Sequence, residues 1–194
     1  AQYPGWRTLA PSRPYDYIAL LNAALPCDDP VLMVEYNDLF KTVGKVPAED
    51  WDYIVPIGRA RVAREGARCT ILTYGVMVEV CCQAAERTGI DAQVIDLRTL
   101  DPLGIDWDTI AAGVKRTQAL MIVEQTTRGT SIGSRVASEA QSRLFDWLDH
   151  EIVHVTGANS SPVVSKVLER AALADAQAVE MALKSMDSRR GGAR

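Results

Sequence analysis

The chain has 194 residues, 47% of them hydrophobic and 24% charged, with a net charge of −4 at neutral pH. That is enough to bury one ordinary core, and the acidic balance excludes a general nucleic-acid surface, which would be basic. No apolar run approaches the ~20 residues of a membrane span, so neither nucleic acid nor membrane is an expected partner, and Cys27, Cys69, Cys81 and Cys82 contain no C-x-x-C pair and read as reduced thiols.

Trp6 to Ala10 suggests a short strand. Pro14 suits the first turn of a helix, with Ser12 or Arg13 before it, and YDYIALLNAAL carries that helix to near Pro26. VLMVEY is a short apolar run rich in β-formers, hence a buried strand. A single strand–helix–strand cannot enclose a core, so residues 1–36 read as the end of a larger domain whose beginning is missing. Periodicity fades from Asn37 to Pro56, where Gly44 and Pro47 interrupt scattered charges, and residues 37–56 read as a linker.

The regular part begins after it. RARVAR alternates and Glu65–Gly66 turns into CTILTY, which predicts an antiparallel hairpin of Arg61–Arg64 with Cys69–Tyr74. Met77, Val80, Cys81, Ala84 and Ala85 form one helical stripe ending before Gly89, so Cys81 is a core residue with Cys82 at its edge. QVIDL is a strand, Asp106 caps a helix through about Arg116, and ALMIV is the next strand. Ile132 to Leu144 is a helix that turns Ile132, Val136, Ala137, Ala140 and Leu144 inward, and IVHV is the last strand. Two helical stretches follow, Val164–Ala172 and Asp175–Met186, and residues 187–194 read as a disordered tail. Strands alternating with helices predict a three-layer α/β/α domain over residues 57–186, its sheet mostly parallel with one antiparallel edge strand.

The stretch VEQTTRGTSIGS, from Val123 to Ser134, is where a strand passes through glycines into a helix. Helix N-termini favour anions. Yet Gly129 and Gly133 are spaced G-x-x-x-G, not G-x-G-x-x-G, and no G-x-x-x-x-G-K-[ST] occurs. The turn therefore reads as a helix start capped by Thr130 or Ser131. Glu124 and Asp96 lie at or near strand C-terminal ends, where open α/β sheets place their sites, and each is either an acid or base or a structural hydrogen-bonding group. Arg98 beside Asp96 favours the structural role, as an ion pair. There is no Gly-Asp-Gly and no Asn-Asn, and two histidines leave little for zinc.

PIGRARVAREGARCTILTYG, AQVIDLRTLDPLGIDWDTI, ALMIVEQ with its glycines and VHVTG resemble, in that order, the C-terminal domain of the transketolase-like superfamily. DDPVLMVEYNDLF resembles the end of the preceding pyrimidine-binding domain in one branch, the beta subunit of thiamine diphosphate-dependent 2-oxo acid dehydrogenases. The resemblance implies a part in oxidative decarboxylation of a 2-oxo acid. It implies as partners an alpha subunit or alpha half, a second beta copy and a lipoyl acyltransferase core, in the cytoplasm or mitochondrial matrix. It also implies that thiamine diphosphate and magnesium are bound outside this fragment, which alone is inactive, with no catalytic or cofactor-binding residue of its own. Two sites carry over. In ALPCDDP, Ala24, Cys27 and Asp29 match part of a potassium loop, with Cys27 replacing the usual aspartate. In FDWLDHEI, Asp149 matches a contact to the acyltransferase. Gly129 and Gly133 are expected to let a second copy approach closely. Other branches, transketolase proper or 1-deoxyxylulose-5-phosphate synthase, stay open, although VEYNDLF speaks against them. So does a non-catalytic flavodoxin-like interaction module.

Overall fold

The computed structural model describes residues 4–160 and 164–191. Five strands make the main sheet: β3 (Arg61–Arg64), β4 (Cys69–Thr73), β5 (Ala92–Asp96), β6 (Leu120–Thr127) and β7 (Val153–Gly157). They lie in the order β3-β5-β4-β6-β7, all parallel except β3, which runs antiparallel to β5. This is the expected α/β class, with helices on both faces.

The strand residues alternate between two cores, as a pleated strand requires. Ile71, Val94, Met121 and Val123 face α2 (Met77–Thr88) and α6 (Ala176–Gly191), where Cys81, Ala84, Val179 and Leu183 are buried. Leu72, Ile95, Leu120 and Ile122 face α3 (Trp107–Thr117) and α4 (Ile132–Leu144), where Ile110, Val114, Val136 and Ala140 are buried. The helices end as the sequence indicates. Gly89 closes α2 with φ 68°, Asp106 accepts the Thr109 N–H at 3.1 Å, and Ser131 accepts the Ser134 N–H at 2.9 Å.

Three expectations need correction. Arg61–Arg64 is the antiparallel edge strand, but its partner is β5, in the register Arg61↔Asp96 and Val62↔Ile95, not β4. Both edges of β4 are taken by parallel neighbours, so no hairpin can form there. The Glu65–Gly66 turn instead presses on the start of β5, where a Cβ at Gly66 would lie 2.3 Å from the Ala92 carbonyl carbon. Second, β6 runs four residues beyond ALMIV, to Thr127. Third, α6 continues through residues 187–191, expected to be disordered, with Arg68 and Asp187 paired across to β4. Residues 192–194 lie outside the described range.

Within residues 4–36 lie β1 (Arg7–Leu9), α1 (Pro14–Ala24) and β2 (Val31–Met33), with β1 and β2 parallel, and Leu9, Ala19 and Leu20 form a small core with Val55. Pro14 is the first residue of α1 and Arg13 its cap position. The unit meets the segment just after β5 through Leu9–Thr99 pairing and the Leu100 N–H on the Thr8 carbonyl at 2.8 Å.

Candidate functional site

The chain leaves β4 to one side to make β5 and then crosses back to make β6 on the other, so strand order reverses between β4 and β6. The crevice outside the strand ends at such a reversal is where open α/β sheets bind ligands. Here it holds side chains of this chain. Glu124, 1% exposed on β6, accepts hydrogen bonds from the Tyr74 phenol at 3.0 Å and from the Gly133 N–H at 3.1 and 3.2 Å to its two oxygens. His154 Nε2 of β7 lies 2.6 Å from Oε1. The carboxylate therefore occupies the anion position at the N-terminus of α4. The glycine turn holds an anion, and that anion is internal.

Gly133 exists to admit it. A Cβ there would lie 2.2 Å from Glu124 Oε1 and 2.7 Å from His154 Nε2. Burial alone would raise the Glu124 carboxyl, but hydrogen bonds from His154, Ser131, the Gly133 N–H and Tyr74 hold it below the ordinary value. Burial and the Glu124 charge push the Tyr74 phenol up, and the same causes push Tyr36 to about 12. Tyr36, just beyond β2, closes the crevice: a Cβ on Gly75 would fall 2.2 Å from its ring. Both phenols thus stay protonated at neutral pH. The cluster can hold a charge in place, and every polar face of Glu124 named here is engaged inside the chain.

A second buried group joins α1 to the sheet. Asp16, wholly buried, pairs with Arg98, with Arg13 Nε at 2.8 Å and with Arg61 Nε at 3.6 Å. Asp96, also wholly buried, takes the Ser12 hydroxyl and Arg61 at 3.2 Å. Burial raises the Asp96 carboxyl above its usual value, partly offset by Ser12 and Arg61. The expected Arg98–Asp96 ion pair is thus corrected. Arg98, at φ 57°, gives Asp96 only its backbone N–H at 3.2 Å and swings its guanidinium to Asp16.

The remaining expected residues fall as follows. Ala24 and Cys27 share a turn in which the Cys27 N–H donates to the Ala24 carbonyl at 3.0 Å. Asp29 lies 3.9 Å from Arg7 Nε. A hard cation takes about six oxygens, and this turn offers a carbonyl already bonded and a carboxylate beside a guanidinium. By themselves Ala24, Cys27 and Asp29 supply fewer oxygens than that. Asp149 is exposed, with its N–H on the Gln118 carbonyl at 2.9 Å. Gly129 is exposed and open, whereas Gly133 is buried and the space where its side chain would lie is filled by Glu124 and His154 of this chain. Sequence reasoning missed His154, Tyr74, Tyr36 and Asp16. The signal for Tyr74 was its place just after β4, and for His154 its place on β7, both beside the strand carrying Glu124.

Fold and site together define a three-layer α/β domain whose ligand crevice is filled from within. The model of the transketolase C-terminal domain matches residues 58–179, and the chain belongs to that family. It is 40% identical over 171 residues to the 2-oxoisovalerate dehydrogenase subunit beta of Pseudomonas aeruginosa, covering 80% of this chain and 48% of that one. It is 38% identical over 192 residues to the subunit of the same name from Bacillus subtilis, covering 96% and 57%. The mitochondrial pyruvate dehydrogenase E1 component subunit beta of Dictyostelium discoideum is 35% identical, over 96% of this chain and 53% of its own length. The chain spans about half the length of the curated relatives it matches. Among solved structures, a split gene transketolase described as an inactive beta4 tetramer superposes with a TM-score of 0.72 at 22% identity, over 95% of this chain and 58% of that one, and so shares its fold.

Proposed function

We propose that the chain is the C-terminal part of the beta subunit, or of the beta half of a fused chain, of a thiamine diphosphate-dependent 2-oxo acid dehydrogenase, and that its part in the reaction is assembly. Residues 1–36 are then the end of the pyrimidine-binding domain, 37–56 the linker and 57–186 the transketolase C-terminal domain. The partners are an alpha subunit or alpha half, a second beta copy and the lipoyl acyltransferase that receives the acyl group, with Asp149 facing the last of these. The setting is a bacterial cytoplasm or a mitochondrial matrix, and among the described residues no helix is long and apolar enough to cross a membrane.

Sequence identity to beta subunits of two such dehydrogenases supports the enzyme class. The observation that carries the assembly role is Glu124. Its carboxylate fills the crevice at the α4 N-terminus, so the described residues do not fit a diphosphate there. No step of decarboxylation runs through this chain's own residues on that reading. Titration calorimetry with thiamine diphosphate and magnesium tests it. The expected outcome is no binding in the micromolar range and no decarboxylation of pyruvate or 2-oxoisovalerate by residues 1–194 alone. Micromolar binding would overturn the assembly role.

A further inference from the structure

Beside the Glu124 crevice, where β2 passes into the linker, lies a separate cleft of about 380 Å3. Three aromatic rings line it, those of Tyr17, Tyr36 and Phe40, over Pro11 and Pro14, and one carboxylate, Glu35, stands among them. The Tyr17 phenol donates to Glu35 Oε1, which fixes the carboxylate and leaves Oε2 open. Burial and Glu35 push that phenol to about 12, so it remains a donor at neutral pH. Among the described residues Glu35 takes part in no ion pair.

The chain shows nearby how it uses such a set. Arg13 lies 5.0 Å from the centre of the Tyr15 ring while its Nε is 2.8 Å from the Asp16 carboxylate. Ring faces attract cations through their quadrupole, and a fixed carboxylate supplies directional acceptors. The cleft offers the same pairing, more rings and a carboxylate, without the cation. We propose that it docks a cationic side chain, an arginine or lysine of a partner polypeptide, with the charged head between the rings and Glu35. A polypeptide source is favoured over a free amine because Phe40, at the rim, is 64% exposed and its ring offers apolar surface to the stem of a long cationic side chain. The net charge of −4 adds a long-range pull on a basic partner. The site stands whichever 2-oxo acid the parent enzyme uses, and whether or not it is such an enzyme.

Amide NMR of the 15N-labelled chain tests it, with N-acetyl-arginine methylamide, N-acetyl-lysine methylamide, the neutral N-acetyl-glutamine methylamide and tetramethylammonium as probes. The two cationic amino-acid probes should give saturable shifts at Tyr17, Tyr36 and Phe40, and the glutamine probe none. Glu35→Gln and Phe40→Ala, both at exposed positions, should keep the fold and weaken the arginine probe by about fivefold each. Absence of localised shifts would overturn the proposal. Equal binding of the glutamine probe would reduce the cleft to an apolar surface and also overturn it. Binding of tetramethylammonium alone would mark a site for small amines and refute side-chain docking.

Discussion

Glu124 is a buried carboxylate whose ionised form is held by four donors, and this sets its pH behaviour. Its folded pKa is lowered, so it contributes stability fully present above the unfolded carboxylate value, ~4.3, and lost as pH falls through the lower folded value. Asp96 is shifted the other way and contributes with opposite sign, so the informative quantity is a difference. Glu124→Gln should lower unfolding free energy at pH 7 by about 2–3 kcal/mol, since it leaves charge-assisted donors unmatched. Urea unfolding at pH 7 and pH 3 should show the gap between wild type and variant narrowing at the lower pH. A gap independent of pH would remove the ionised carboxylate from the account. Gly133→Ala probes the same contact from the helix side. Its new methyl would sit 2.2 Å from Oε1, so a loss of about 1–3 kcal/mol is expected. In combination with Glu124→Ala that loss should shrink, because the crowded atom is gone. Simple additivity in thermal melts would place the strain elsewhere.

Elements were legible wherever their signals are local. The helix stripes, the Asp106 and Ser131 caps and the Gly89 stop all fall within one or two turns of the residues they organise. The partner of β3 was not legible, because a short turn after an alternating run predicts a hairpin with the next strand. Sheet order overruled it: β4 already had two parallel neighbours, and the next available edge belonged to β5. The attachment of α1 was hidden for a related reason. Asp16 and Arg98 are 82 positions apart, while Asp96 and Arg98 are neighbours and so looked like partners. Removing Asp16 would leave the buried Arg98 guanidinium without its counter-charge. Breaking a buried pair costs about 3–5 kcal/mol. Asp16→Ala should therefore unfold at markedly lower urea, and hydrogen exchange should show α1 opening before the main sheet. If α1 amides stay as protected as those of β4, the ionic layer is not what fastens the unit.

At the scale of the molecule the open question is what the exposed apolar surface meets. Helix α5 (Lys166–Ala172) buries none of its residues, and Val167 and Leu168 are 77% and 57% exposed. Obligate subunit interfaces are large and apolar, often above ~2,000 Å2, and contiguous exposed apolar patches mark contacts. Self-association is expected, most simply as a two-fold dimer. With Gly133 filled from inside, α5 replaces the glycine turn as the expected contact. Sedimentation velocity at several concentrations should show a species heavier than the 21.2 kDa chain, and Val167→Asp with Leu168→Asp should return it to a monomer. A chain that stays monomeric at high micromolar concentration would count against a retained interface, and a dimer indifferent to those changes would place it elsewhere.

The amino-acid sequence by itself determined the order and kind of the main elements, the inward faces of the helices and the resemblance to the transketolase C-terminal domain. Each of these follows from periodicity, caps or motifs, which act over a few residues. Only the tertiary structure decided which carboxylate meets which donor. Glu124 finds Tyr74 at a separation of 50 positions and His154 at 30, because strand order places β4 and β7 on either side of β6. A glycine turn before a helix offers an anion site in any sequence. That this one is filled by a side chain of the same chain depends on a buried acid one strand-end away, and burial is a property of the packed molecule.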